Sequence, residues 1–155
     1  LNANHIQGSI SGNYYGLFVD TTLVAMGTFG TSMFGSVIEL LRYCSLLGTQ
    51  VVGGFSKLMV CIKLQYKTDI KTYADLRYST GKTYYKFGEY SHTSKPSYYW
   101  VHKWKLHRIN RMQTQKHKLP KLLGEKFCAN KTEKENMIDA GYLQVYDCGN
   151  LVFIL

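Results

Sequence analysis

Residues 49–66 read TQVVGGFSKLMVCIKLQY, and this segment decides the fold that we predict for the first part of the chain. Apolar or aromatic residues alternate with others over Leu58–Tyr66, which is the period of a half-buried strand. The preceding Gly53 and Gly54 can supply the backbone conformations of a tight hairpin turn. We therefore predict two strands, Thr49–Val52 and Leu58–Tyr66, joined by this turn.

The residues before this hairpin predict a helix. Beyond a break rich in Gly, Thr and Ser, apolar residues recur at helical spacing over Met33–Leu46. Thr31 or Ser32 can cap the start of this helix, and Gly48 can end it. Because Thr22–Met26 also predicts a strand, we expect the first part of the chain to be a helix on a short sheet.

Tyrosine-rich and β-prone segments dominate the rest of the chain. Lys67–Ser94 predicts either two strands around a turn or one strand with a long insertion. Ser97–Val101 and Leu151–Leu155 each predict a strand through their β-prone residues. Between them we predict a short strand at Lys126–Ala129, a polar loop, and a short helix at Ile138–Val145.

The 155 residues are sufficient for one large domain or for two small domains, each with a modest core, and length alone does not choose between them. The predicted fold class is α+β, with two small α/β domains packed together. Residues 1–68 form the predicted N-terminal helix-on-sheet domain, and residues 69–155 form a C-terminal β-rich domain with a short helix. A basic insertion in the second domain is predicted at about residues 101–118.

The chain carries a large basic excess, with 19 Lys and Arg against 10 Asp and Glu and a formal net charge of +9. Arg42 is the only basic residue up to Ser56, whereas Lys95–Lys126 holds nine basic residues and one acid, Glu125. Such a density favours a polyanionic partner, which is RNA, DNA or an acidic membrane surface.

The segment His102–Lys118 adds aromatic rings to this charge, because Trp104, His107 and His117 stand between its Lys and Arg residues. Base stacking and phosphate neutralisation are both open to such an arm. A contact with a neighbouring protein and a solvated loop are the two other interpretations of the arm.

The sequence lacks the patterns of enzymes, metal sites and membrane spans. The four cysteines form no C-x-x-C pair and are predicted to be reduced core residues. The five histidines lack metal-ligand spacing, and no Gly-rich phosphate loop or nucleophile motif occurs. No apolar run reaches the length of a membrane-spanning helix. We therefore predict no catalytic residue, metal, cofactor or small-molecule substrate, and no membrane insertion.

Short motifs in the later part of the chain occur in the order and spacing of a known family. They are Ser94-Lys95-Pro96-Ser97, Leu119-Pro120-Lys121, Lys131-Thr132-Glu133-Lys134-Glu135, Met137-Ile138-Asp139 and Cys148-Gly149-Asn150-Leu151-Val152. Over Ser32–Leu155 the chain thereby resembles the eighth small-subunit ribosomal protein family. At these places the family has Ser-Lys-Pro-Gly, Ile/Leu-Pro, Ser-Thr-Ser-Lys-Gly, Met/Leu-Thr-Asp and Gly-Gly-Glu.

The resemblance implies two small α/β domains that bind the central domain of small-subunit rRNA and support subunit assembly and translation, beside neighbouring small-subunit ribosomal proteins. We expect a divergent mitochondrial form of this family, bound to the ribosome in the matrix. A composition rich in Tyr, Lys, Asn and Ile is typical of an AT-rich gene, and we expect an organelle-encoded one. Glu133 and Glu135 depart from the family and are expected to place negative charge where the family meets RNA.

The candidate RNA contacts are mostly cationic, and the others offer a hydroxyl, an amide or an approachable backbone. They are Ser94, Lys95, Lys103, Lys105, Arg108, Arg111, Lys116, Lys118, Lys131, Thr132, Lys134, Gly149 and Asn150. Gly149 is alternatively the turn before the last strand, and Lys95 a solvated strand end. The competing function is a structural subunit of another organellar assembly, a respiratory or ATP-synthase complex, whose basic arm meets protein or anionic lipid.

Overall fold

The protein forms two compact units, of which the second is inserted into the first. The computed structural model describes residues 1–31, 37–105 and 107–155. Unit 1 comprises Leu1–Ser94 and Asn150–Leu155, and unit 2 comprises Lys95–Gly149. Unit 2 therefore interrupts unit 1 between two of its segments.

Both units combine strands with short helices. In chain order the strands are β1 (Asn13–Val19), β2 (Thr22–Thr31), β3 (Ile38–Ser45), β4 (Ile70–Asp75), β5 (Glu89–Thr93), β6 (Tyr98–His102), β7 (Arg108–Asn110), β8 (Tyr142–Tyr146) and β9 (Asn150–Ile154). The α-helices are α1 (Gly54–Tyr66), α2 (Leu119–Leu123) and α3 (Glu133–Asp139), and short 3-10 helices cover Tyr84–Lys86, Arg111–Gln113, Lys116–Lys118 and Gly124–Lys126. This mixture confirms the predicted α+β class.

Unit 1 is built on a sheet whose strands lie in the order β1-β2-β3-β4-β9-β5. β3 and β4 run parallel, and the other neighbours run antiparallel. β4 and β5 are two strands within Lys67–Ser94, but they do not pair with each other, since β9 lies between them. Because β9 ties both of them into this sheet, the domain boundary predicted after residue 68 moves to Ser94.

α1 replaces the strand predicted over Leu58–Tyr66, and that prediction is therefore wrong. Leu58, Met59 and Ile62 are buried, and their spacing forms one face of a helix. Gly27 in β2 lets this face come close to the sheet, because a Cβ there would lie 2.6 Å from Leu58 Cδ2. A helix satisfies its own backbone hydrogen bonds, so this segment covers the sheet without a strand edge to pair with.

Both ends of α1 are marked by left-handed backbone conformations. Gly53 precedes the helix with a φ of 71°, and Lys67 follows it with a φ of 51° and donates its N–H to the carbonyl of Lys63. The glycine that was predicted to turn a hairpin thus begins a helix. The strand predicted at Thr49–Val52 is wrong as well, since these residues lie in loop and turn conformations.

The helix predicted over Met33–Leu46 is wrong where the structure describes it. Ile38–Ser45 is β3, which pairs with β2 on one side and with β4 on the other, while residues 33–36 lie outside the described residues. Pairing on both sides and the burial of Leu40 outweigh the helical spacing, because tertiary packing overrides local propensity. The strand predicted at Thr22–Met26 is confirmed within β2.

The core of unit 1 lies between α1 and the sheet. Ile62, Ile70 and Phe153 are fully enclosed, and Phe29 and Leu40 pack in the same cluster. Burying apolar side chains of this size contributes about 1.5–3 kcal/mol each. The cluster therefore ties α1, β2, β3, β4 and β9 together.

Unit 2 contains an antiparallel sheet in the order β7-β6-β8. One face of this sheet packs against the helices through a core of Trp100, Ile109, Leu119 and Met137, each no more than 4% exposed. β6 confirms the strand predicted at Ser97–Val101.

Two short elements predicted in unit 2 are wrong. The helix predicted over Ile138–Val145 is replaced by the end of α3 and by β8, and no strand forms at Lys126–Ala129. Gly141, with a φ of 91°, lets the chain turn from α3 into β8. Pairing with β6 then fixes Tyr142–Tyr146 as a strand. The strand predicted at Leu151–Leu155 is confirmed as β9.

Candidate nucleic-acid interface

The predicted cationic contacts lie on the surface of unit 2. All nine Lys and Arg residues among the candidates are exposed, and unit 2 as a whole holds eleven Lys and Arg against five Asp and Glu. Exposed cationic side chains of this density are available to a polyanion. The positions of the five acids then decide how positive the surface is.

Glu133 turns its carboxylate inward, not toward an RNA partner. Its Oε1 accepts hydrogen bonds from the Tyr98 hydroxyl at 3.1 Å, from Trp100 Nε1 at 3.3 Å and from the Thr114 hydroxyl at 2.9 Å. Burial, and then the charge of Glu133, raise the pKa of the Tyr98 hydroxyl. The negative charge that was expected to repel phosphate thus holds β6, α3 and the segment around Thr114 together.

Glu135 is the second acid that the sequence placed against RNA, and it forms a capping box with Thr132. The Thr132 hydroxyl accepts from the Glu135 N–H at 3.3 Å, and Glu135 Oε2 accepts from the Thr132 N–H at 2.7 Å and from its hydroxyl at 2.7 Å. These hydrogen bonds lower the pKa of Glu135. The hydroxyl of Thr132, predicted to contact RNA, is therefore used to begin α3.

The remaining acids of unit 2 include two more that have partners. Asp139 pairs with Lys131 at 2.6 Å, and Asp147 accepts the backbone N–H groups of Ser97 at 2.8 Å and Gly149 at 2.9 Å. Lys131 is the one Lys or Arg of unit 2 that forms an ion pair within the described residues. Four of the five acids thus have partners within the unit, although Glu135 and Asp139 are exposed, whereas ten of the eleven Lys and Arg residues form no ion pair within the described residues.

A buried asparagine fixes the turn that carries Lys131 and Thr132. Asn136 is fully enclosed, and its Nδ2 donates to the carbonyls of Cys128 at 3.0 Å, Lys131 at 3.2 Å and Thr132 at 2.9 Å. Its Oδ1 accepts the Cys128 N–H at 2.7 Å. The turn is therefore held in one conformation before any partner binds. Sequence reasoning placed Asn136 in a polar loop and missed this role, which only its full burial reveals.

Two of the candidate contacts meet in unit 1, where β5 and β9 end side by side. Ser94 donates its N–H to the Asn150 carbonyl at 2.8 Å, and the Asn150 N–H returns to the Ser94 hydroxyl at 3.0 Å. In unit 2, Gly149 is buried and has a φ of 76°. Such a conformation favours the interpretation of Gly149 as the turn before the last strand.

The basic arm has defined structure and is not a featureless loop, as β7 and two 3-10 helices occupy much of it. The Arg111 guanidinium carbon lies 5.7 Å from the centre of the Tyr98 ring, and Lys118 Nζ donates to the Met112 carbonyl at 2.7 Å. Trp104 is 88% exposed. Leu106 lies outside the described residues.

The sheet of unit 2 has a second face that the sequence prediction missed. Tyr99 and Val101 of β6 point away from the core that holds Trp100, because neighbouring strand residues face opposite sides. The register places Val145 beside Tyr99 and Leu143 beside Val101. The alternation of β8 is the signal that could have revealed this face, but those residues had been predicted to be helical.

Unit 1 contains a cleft of about 400 Å³ whose lining includes Glu39, Arg42, His5 and Tyr84. Burial raises the pKa of Glu39, and burial with the charge of Arg42 lowers that of His5. The Nδ1 atom of His5 accepts the N–H of Gln7. These shifts come first from lost hydration, and they do not define a nucleophile with an aligned base.

Cys61 and Cys148 are exposed, which corrects their prediction as core residues; Cys44 and Cys128 are partly buried, and all four are free. Within the described residues, no three His, Cys, Asp or Glu side chains could jointly hold a metal ion. In the same part of the chain, no helix is long and apolar enough to cross a bilayer. Comparison of the chain with protein-family models, curated proteins and solved structures finds no match.

Proposed function

We propose that this chain is an RNA-binding structural constituent of a small ribosomal subunit. In this proposal it is a divergent mitochondrial member of the eighth small-subunit ribosomal protein family, binds the central domain of small-subunit rRNA, and catalyses no reaction. The ordered motifs between Ser94 and Val152 support the family. The observation that carries the proposal is the basic excess on the surface of unit 2, where all eleven Lys and Arg are exposed and only five Asp and Glu accompany them.

A basic excess of this size makes unit 2 better suited to bind a polyanion than the surface of an ordinary soluble protein. A soluble protein commonly intersperses both signs of charge over its surface. In unit 2, Glu133 Oε1 and Asp147 Oδ1 accept hydrogen bonds from within the unit. The other three acids are exposed beside eleven exposed Lys and Arg residues. Phosphate groups therefore meet a surface with a net positive charge, and each phosphate neutralised releases counterions.

The first experiment separates this function from membership of a membrane complex. Native organelle extracts are resolved on sucrose gradients with and without ribonuclease. We expect the protein to travel with the small ribosomal subunit and to be released by ribonuclease. Migration with a detergent-extracted respiratory or ATP-synthase complex, unaffected by ribonuclease, would contradict the proposal.

The second measurement tests the lysines directly. Lys95 and Lys134 are exposed and form no ion pair within the described residues. The double variant Lys95→Ala with Lys134→Ala should bind the matching rRNA fragment more weakly. The negative slope of log K against log salt should become shallower by about 1.4–1.8, because each lost phosphate contact reduces its magnitude by about 0.7–0.9.

The matched control removes the same charge from unit 1. Lys82→Ala with Lys86→Ala changes two exposed lysines outside unit 2. We expect its salt slope to stay close to that of the unaltered protein. Equal slopes for the two double variants would remove Lys95 and Lys134 from the interface.

A further inference from the structure

The second face of the unit 2 sheet has an apolar surface that belongs to neither core cluster of the described residues. Tyr99, Val101, Leu143 and Val145 share this face through the register of β6 and β8, and none of them belongs to the described cores. Leu143 is 52% exposed, whereas Tyr99, Val101 and Val145 are partly buried. One side of the sheet thus packs on helices, and the other presents an aromatic ring among aliphatic side chains.

A cation lies directly on this aromatic ring. Arg108 of β7 is opposite Val101 in the register, and its guanidinium carbon lies 4.0 Å from the centre of the Tyr99 ring. Arg108 is exposed and forms no ion pair with the carboxylates that the structure describes. The planar cation is therefore positioned by the ring while its donors remain available.

We infer that this face, with Tyr99 and Arg108 at its centre, binds an unpaired nucleotide of RNA. The inference deepens the proposed function and rests on it, because it adds a stacking site to a surface argued to bind phosphates. A base stacks on the Tyr99 ring or against the Arg108 plane, Val101 and Val145 support its apolar edge, and nearby cations neutralise the backbone. Sheet faces that display aromatic and arginine side chains suit unstacked bases.

Charge complementarity favours RNA over a protein segment as the occupant of this face. An apolar peptide would cover Leu143 and Val145, but it would also bury the guanidinium of Arg108 without a carboxylate. A nucleotide supplies both a flat ring and a phosphate, so the two parts of this site are satisfied together. Duplex RNA hides its base faces, so the site selects unpaired nucleotides.

The experiment uses the full chain and a single-stranded RNA of about ten nucleotides with a central 2-aminopurine, whose fluorescence falls on stacking. Tyr99→Leu should weaken binding by about 5- to 100-fold and abolish the quenching, since one stacked base contributes about that factor. Tyr99→Phe should keep both, because it retains the ring. None of these changes removes a charge, so the salt slope should remain the same.

An Arg–Tyr pair in unit 1 provides the matched control. In unit 1 the Arg77 guanidinium carbon lies 5.2 Å from the centre of the Tyr78 ring, and Tyr78 is 59% exposed. Tyr78→Leu should leave binding and quenching unchanged. Arg108→Lys keeps the charge but loses the plane, so affinity should fall by about 3- to 10-fold; this variant also tests the site if Tyr99→Leu fails to fold.

Failure of this inference is distinguishable from failure of the proposed function. If Tyr99→Leu and Arg108→Lys bind the probe as tightly as the unaltered protein, while the rRNA fragment still binds, the stacking site is overturned alone. If Tyr99→Leu lowers incorporation into the particle but not probe binding, a protein segment occupies the face and the inference is wrong. If the unaltered protein binds neither RNA, both proposals fall.

Discussion

Glu133 shows how a single residue type can mislead a prediction from sequence. Its charge, set in a motif expected to touch RNA, predicted repulsion of phosphate, whereas Oε1 of this carboxylate accepts three hydrogen bonds from within unit 2. The exposed lysines could be predicted, because ammonium groups rarely lose their water. The capping role of Thr132 could not be predicted, and the turn was only one of two interpretations of Gly149, since a hydroxyl and a glycine serve local backbone geometry as readily as a ligand.

At the same scale, removal of the Glu133 carboxylate should destabilise the protein. Glu133→Ala leaves the Tyr98 hydroxyl and the fully buried Trp100 Nε1 without their acceptor, whereas the Thr114 hydroxyl keeps the Arg111 carbonyl at 3.1 Å. We expect the free energy of unfolding, measured in urea, to fall by about 2–4 kcal/mol. Glu125→Ala removes the same charge from an exposed site and should change it by no more than about 0.5 kcal/mol. Equal effects would show that the three hydrogen bonds do not form.

At the scale of single elements, the segment predicted as a strand forms the helix α1, and the segment predicted as a helix contains the strand β3. Apolar or aromatic residues occupy every second position over Leu58–Tyr66, as in a strand. Leu58, Ile62 and Tyr66 within this series are also four residues apart, as on one face of a helix, so the local pattern fits both. What decides is the partner: β3 has strand neighbours on both sides, and α1 has a sheet face to cover. Neither partner is visible in a local window, whereas β6 and β9 were predictable because their β-prone runs are short and undivided.

The two interpretations of this segment make different predictions for Ile62 and Leu64. An alternating strand places both on the same face, whereas α1 encloses Ile62 fully and leaves Leu64 73% exposed. Ile62→Ala should therefore lower the free energy of unfolding by about 2–5 kcal/mol. Leu64→Ala, the control at the next alternate position, should change it by no more than about 0.5 kcal/mol. Equal losses in chemical denaturation would support the strand.

At the scale of the whole molecule, charge and architecture divide along the same boundary. Unit 2 carries the larger basic excess, and it is continuous in sequence, whereas unit 1 is assembled from two segments. The sequence predicted two units of α+β type, but not that one interrupts the other. That arrangement depends on β9 pairing with strands far earlier in the chain, and no local pattern records such a pairing.

The insertion should be separable from its host. Ser94 and Asn150 are already joined by one backbone hydrogen bond and by a second that the Ser94 hydroxyl accepts. Replacing residues 95–149 with an Asn-Gly turn should therefore leave unit 1 with a cooperative unfolding transition in urea. Residues 95–149 alone, with Ser97 and Asp147 holding the ends together, should fold and retain the salt-dependent RNA binding. Circular dichroism would contradict this prediction if either fragment lacked stable structure.

The position of β9 between β4 and β5 also determines when the sheet of unit 1 can be completed during translation. A ribosome making this protein completes β4 and β5 long before it reaches the strand that must slot between them. At about 5–20 residues per second, the intervening stretch occupies about 3–11 seconds of translation. Unit 2 is synthesised during this interval and can begin to fold, while β4 and β5 of unit 1 still lack β9 and have strand edges open to mispairing.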